Sequence, residues 1–245
     1  MKKLIMMALT LTIAMTVSAQ DYKVETFKTK SGKNVNITLI KHATMAIDFD
    51  GYVIHVDAVP NYGTDYTKFP KGDLVLVTHE HGDHFNPQTI ELISKPNNLL
   101  FMNQRSFDQM QKGMVLRNGE SRKIPKDISM KVLPAYTTTP DHLQFHPQGV
   151  GNGYLLNIDG LKIYIAGDTE DIPEMSALKD EKIDVAFIPV NQPYTMTVEQ
   201  AIRAAWMIMP KVLIPYHFGQ TDVAPIKQRL DADNSGIDVW LRDMQ

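Results

Sequence analysis

A chain of 245 residues, 43% hydrophobic and 22% charged, can bury a sizeable core and lacks the composition of a disordered protein. A formal net charge of −3 offers no basic footprint, which excludes capture of nucleic acid as an organising function. The complete lack of Cys removes disulfides and thiolate metal ligands from consideration.

Lys2 and Lys3 precede an almost wholly apolar or Thr run over residues 4–17, and Val17-Ser18-Ala19 supplies small residues before Gln20. This layout predicts a cleavable signal peptide, residues 1–19, of bacterial character, so the mature protein, residues 20–245, is expected in the periplasm or secreted. The run is short of the roughly 20 residues needed to span a bilayer, so no membrane association is expected after cleavage.

Short strands come next. Residues 24–28, 35–40, 45–49 and 52–57 alternate or carry β-branched side chains, with turn chemistry at Ser31-Gly32-Lys33-Asn34 and Asp50-Gly51, and they read as an antiparallel meander. The apolar run Leu74-Val75-Leu76-Val77 reads as a buried strand, and Asn86-Pro87 opens a helix over residues 88–94. A strand over 99–102 and a polar helix over 104–112 follow. Strands are then expected over 130–135, 153–158 and 161–165, the last two joined by Asp159-Gly160, and a short helix over 173–178. Residues 183–190 form a continuously apolar strand. Thr197-Val198-Glu199-Gln200 is a capping box for a helix over 198–209 that Pro210 stops, and Trp206-Met207-Ile208-Met209 reads as its apolar face. A strand over 212–216, a helix over 222–230 and a strand over 236–241 complete the chain. Strands followed by helices, twice over, predict two β-rich halves with helices outside, in one domain without a sequence repeat or linker.

The stretch His79-Glu80-His81-Gly82-Asp83-His84 packs four potential metal ligands into six residues directly after an apolar strand. A strand end is a rigid base for such a cluster, and imidazole with carboxylate suits zinc, iron or manganese. Four further sites place a potential ligand just beyond an apolar strand. These are Gly167-Asp168-Thr169, His217-Phe218-Gly219, the loop after Tyr136 that holds His142 and His146, and Lys41-His42-Ala43. Ligands at the ends of several strands make one rim, a natural metal-binding edge. His55 lies mid-strand and reads as an ordinary sheet residue.

The ordered set His79-x-His81-x-Asp83-His84, a later His, Gly167-Asp168-Thr169 and His217 resembles the metallo-β-lactamase superfamily over about residues 35–220. The resemblance implies an α+β fold, an αββα sandwich, with a two-metal site, usually zinc, along one edge. Lys41-His42-Ala43-Thr44, Phe145-His146-Pro147, Tyr194-Thr195-Met196-Thr197 and Ile214-Pro215-Tyr216-His217 look most like the metal-dependent hydrolase branch that includes ascorbate-6-phosphate lactonase-like proteins. Carried over residue by residue, His79 and His81 bind one metal with a third His; Asp83, His84 and His217 bind a second; Asp168 bridges both. A hydroxide held between the metals is the implied nucleophile. Many members place the third His at the strand end where this chain has Tyr136; of His142 and His146, the match at Phe145-His146-Pro147 favours His146. Asp57 is either an acceptor that orients a ligand His or a turn-capping Asp before Pro60, and His42 is either a substrate contact or structural.

The expectation is thus an exported hydrolase with two divalent metal ions, zinc foremost and manganese or iron as alternatives. It would cleave an ester, lactone, phosphodiester or amide bond in a small-molecule substrate, with Asp83, Asp168 and His42 as candidate catalytic residues. The zinc β-lactamases that use Cys at the second metal do not fit a chain without Cys. Residues 169–216 are too few for the domain that nucleases of this superfamily insert there, and residues 218–245 too few for the helical domain of glyoxalase-like thioesterases. A non-catalytic periplasmic metal- or ligand-binding protein on the same fold is the alternative, with an iron redox protein behind it.

Overall fold

The computed structural model of the protein describes residues 22–244. The expected signal peptide therefore lies outside the described residues.

Two sheets of seven strands are laid down one after the other. The first takes β1 (Lys23–Lys28), β2 (Asn34–Lys41), β3 (Thr44–Phe49), β4 (Tyr52–Val56), β5 (Gly72–Leu76), β6 (Ser94–Met102) and β7 (Met114–Val115) in that spatial order. The second takes β8 (Ser121–Ile124), β9 (Ile128–Ala135), β10 (Gly151–Ile158), β11 (Leu161–Ile165), β12 (Val185–Pro189), β13 (Val212–Tyr216) and β14 (Asp238–Val239). In each sheet the first four strands pair antiparallel and the rest parallel. The halves share no sequence period, yet they share this plan. The Asp50-Gly51 and Asp159-Gly160 turns both have positive φ at both positions, the two-residue turn whose twist matches that of the flanking strands.

Parallel neighbours need crossovers, and these supply the outer layers. α1 (Pro87–Ile93) and α2 (Gln104–Met110) cover the first sheet, while α3 (Leu178–Glu181), α4 (Val198–Ile208) and α5 (Ala224–Ala232) cover the second. The largest core lies between the sheets. Ile37, Met45, Ile54 and Leu76 there face Val132, Leu156, Ile163 and Phe187. On the outer side of the second sheet Tyr164, Ala186 and Leu213 pack under Ala201, Ala205, Ile208 and Leu230. Ile40, Val75 and Leu100 do the same under Ile90 and Ile93 in the first. This is an αββα sandwich.

The helix starts follow the caps in the sequence. Asn86 Oδ1 accepts from Thr89 N at 2.8 Å, and both arms of the Thr197–Gln200 box form, at 3.1 and 2.8 Å. One expectation fails: Trp206 is 39% exposed, and the buried face of α4 is Ala201, Ala204, Ala205 and Ile208. Four consecutive residues cannot share one face at 3.6 residues per turn. β7 and β8 escape a reading by periodicity because they are short and largely exposed or polar.

Candidate metal centre

Strands β4, β5, β11 and β13 end at one edge of the sandwich, and each delivers a polar residue there as its apolar run stops. Leu74, Val75 and Leu76 are buried in β5, and the chain then turns so tightly that His84 N and Phe85 N both donate to His81 O. β11 delivers Asp168 through Gly167, whose φ is +67° and where a Cβ would sit 2.7 Å from Asn152 O. His42, Asp57 and His217, each just past a strand, all adopt left-handed backbone with φ between 47° and 56°. Such conformations cost about 1 kcal/mol or more outside Gly and persist where the surroundings over-determine them. The two halves are stitched together here by Asn152 N to Thr78 O at 3.0 Å and His217 N to His42 O at 3.1 Å.

Asp168 sits at the middle, 4% exposed. Its Oδ2 lies 3.3 Å from His146 Nε2, 3.2 Å from His217 Nε2 and 3.8 Å from His79 Nε2, and its Oδ1 lies 3.3 Å from His84 Nε2. His79 Nε2 and His81 Nδ1 face each other at 3.1 Å, and with His146 they form one group that could hold an ion. Asp83 Oδ2 lies 3.5 Å from His217 Nε2, 3.8 Å from His84 Nε2 and 3.2 Å from His42 Nε2, and these four residues form a second. All seven expected ligands converge, with His42 among the second group. His142 does not join them: its Nδ1 faces Glu170 Oε1 at 3.4 Å.

The residues behind the ligands decide which ring nitrogen is free. His84 Nδ1 donates to Asp57 Oδ2 at 2.8 Å and His146 Nδ1 to the Tyr194 carbonyl at 2.9 Å, which leaves each Nε2 as a lone pair aimed inward. Thr78 Oγ1 donates to Asp57 Oδ2 and so accepts from His79 Nδ1, with the same result for His79. Asp57 Oδ1 accepts from Thr78 N, across to the neighbouring strand, so Asp57 orients ligands and does not cap its own turn. His84 Nε2, His146 Nε2, His217 Nε2 and Asp168 Oδ1 are buried without a hydrogen bond to protein. Four orphaned acceptor-capable atoms around one point, all nitrogen or oxygen, fit divalent cations of the zinc type.

The electrostatics agree for most of the set. At His84 burial works to lower the imidazole, but Asp168 and Asp57 outweigh it and hold the group well above its ordinary value. This favours a second proton that a bound ion would displace. Burial would raise the Asp168 carboxyl, but the His217 and His84 imidazoles outweigh it and hold the group well below the usual range. Burial likewise opposes ionisation of Asp83, and His217 and His42 overcome it. Burial lowers His79, His81 and His42, keeping them neutral, the form that ligates.

The model of the beta-lactamase superfamily domain matches residues 36–217. The chain belongs to that superfamily. It is 34% identical over 202 residues to a UPF0173 metal-dependent hydrolase of Ligilactobacillus salivarius, covering 79% of this chain and 89% of the relative. A crystal structure from Parabacteroides distasonis, which carries the name of a metal-dependent hydrolase, superposes with a TM-score of 0.87 at 48% identity, covering 91% of this chain and 100% of that one. The metallo hydrolase Igni18 of Ignicoccus hospitalis superposes with a TM-score of 0.71 at 26% identity, covering 86% and 95%. With these relatives, the chain is a metal-dependent hydrolase of the superfamily.

Three contributors to the centre were not singled out from sequence. Thr78 and the Tyr194 carbonyl orient His79 and His146. Glu170, 0% exposed, gathers the loop that carries His146: its Oε2 accepts from the backbone and hydroxyl of both Thr138 and Thr139, at 2.7–2.9 Å. An acidic residue two places after Asp168 was a visible signal for Glu170. A backbone carbonyl leaves none.

Proposed function

We propose that the protein is an exported two-metal hydrolase of a small-molecule ester, lactone or phosphodiester. His79, His81 and His146 would hold one divalent ion, Asp83, His84 and His217 the other, and Asp168 both. The position of Asp168 carries the reading, because its two oxygens face imidazoles of both groups. Ions bound there supply an acidified water and neutralise charge on the reacting oxygens. The protein's own work is to keep His79, His81 and His42 neutral and Asp168 and Asp83 ionised, and to hold His84, His79 and His146 from behind by Asp57, Thr78 and Tyr194 O. His42, 3.2 Å from Asp83 Oδ2, fixes the more exposed carboxylate of the set. A donor set without thiolate and rich in imidazole supports zinc, with manganese and iron as the competitors. Export rests on the basic, apolar and small-residue order of residues 1–19.

The deciding experiment is metal content and hydrolysis of p-nitrophenyl acetate and bis(p-nitrophenyl) phosphate, for wild type and Asp168→Ala. The wild type should bind about two zinc ions and lose turnover to chelator, and the variant should lose both metal and rate. A variant with full metal and full rate removes the bridging role. A metal-loaded wild type inert across a broad panel of esters would favour a binding protein.

A further inference from the structure

The loop between β4 and β5 carries Tyr62 in a turn, Asn61–Gly63, whose backbone at Tyr62 is left-handed with φ 64°. A bulky aromatic residue is held there only if something fixes it. Asn61 Nδ2 donates to Gly82 O at 3.4 Å and so ties the turn to the ligand-bearing segment 79–84. The Tyr62 ring lies against His42, 5.3 Å between centroids.

Two tyrosines near this edge, Tyr62 and Tyr194, are each 47% exposed; Tyr62 lies against His42, whereas Tyr194 packs on Phe145. Tyr154, Tyr66 and Tyr216 are buried: the Tyr154 phenol donates to Val77 O, and those of Tyr66 and Tyr216 accept from Val59 N and Gly167 N. Among the described residues the Tyr62 hydroxyl has no hydrogen-bond partner, and Tyr62 is 47% exposed. Partial burial, with the Asp83 carboxylate close by, raises the phenol above its ordinary value. An intact phenol O–H can donate to an acceptor oxygen. A strained turn thus holds a half-exposed phenol beside His42.

We propose that Tyr62 is a catalytic residue whose hydroxyl donates a hydrogen bond to the substrate carbonyl or phosphoryl oxygen as that oxygen gains negative charge. The proposal rests on the hydrolase reading above. No proton is transferred: the O–H stays intact, and the bond shortens as charge builds on the acceptor. A donor fixed in advance by its backbone does this without reorganisation, and it favours the charged oxygen over the neutral one.

The test compares zinc-loaded wild type, Tyr62→Phe and Tyr62→Ala with both p-nitrophenyl substrates. A second arm, free of turnover, titrates phenylphosphonate, a stable oxyanion, by calorimetry. Tyr62→Phe should lower kcat about tenfold to hundredfold with KM within about twofold, at unchanged metal content and melting temperature. It should also weaken phenylphosphonate about tenfold. A Phe variant equal to wild type in kcat and in phosphonate affinity overturns the proposal, and if only Ala is impaired the ring merely shields His42. Should wild type turn over neither substrate, the hydrolase reading is what fails on that panel. The phosphonate titration then still decides Tyr62, equal affinities overturning it.

Discussion

His84 Nδ1 donates to Asp57 Oδ2 over 2.8 Å, and both side chains are fully buried. Asp57 reaches this position by a left-handed turn at the end of β4, and the same oxygen also accepts from Thr78. One carboxylate therefore aligns two candidate ligand imidazoles from behind, His84 directly and His79 through the threonine. Asp57→Asn keeps the shape and removes the charge, and should weaken zinc binding about 10- to 100-fold. A calorimetric zinc titration with wild-type affinity would show that Asp57 matters to folding alone.

Glu170 holds the loop of His146 through Thr138 and Thr139. Burial works to raise its carboxyl, but those hydrogen bonds outweigh it and keep the group below its ordinary 4.5. A carboxyl lowered in the native state stabilises above the unfolded pKa, and the effect is lost as pH falls through the native value. Glu170→Gln should cost about 1–3 kcal/mol at pH 7, and the difference from wild type should shrink on acidification below pH 4.5. It should also loosen zinc at the His79–His81–His146 group. Urea unfolding at a series of pH values checks the first claim, and a gap that stays constant with pH would refute it.

His55 is wholly buried, with Nε2 bonded to Pro70 O at 2.9 Å. Burial lowers its imidazole below 6.5, against the opposing effect of that bond. Below pH 6.5 the unfolded chain takes up a proton that the native state resists, so stability falls as pH drops, by at most about 1.4 kcal/mol per pH unit. His55→Gln, which retains a donor toward Pro70 and does not titrate, should lose less stability between pH 7 and pH 5. Parallel curves for the two proteins would show that His55 does not titrate on unfolding.

Removal of metal should lower the melting temperature. An ion at a hundred times its dissociation constant adds about 2.7 kcal/mol, which corresponds to roughly 5–10 °C for a chain of this size. Scanning calorimetry with zinc and then with chelator measures this, and identical midpoints would mean that the centre holds no zinc in the native state.

The fold was legible where physics acts locally. Alternation in β2 to β4, the Asp-Gly turns, the Asn86 cap and the Thr197–Gln200 box are side-chain rules written within a few residues, and each forms as expected. The candidate ligands were legible because imidazoles cluster at 79–84 and because Asp168 and His217 end apolar strands. What escaped depends on distance. Whether His142 or His146 points inward is decided by Glu170 and by the Tyr194 carbonyl, 28 and 48 residues further along the chain from them. The position of Tyr62 depends on a backbone twist that no residue preference announces.

The doubled strand plan places His79, His81, Asp83 and His84 in the first half and His146, Asp168 and His217 in the second. Any opening of the seam between the sheets therefore pulls every group of ligands apart at once. A bound ion would act as a latch on that seam, and its departure should speed amide exchange in both sheets together. In such a molecule, keeping the metal and keeping the halves together are one equilibrium.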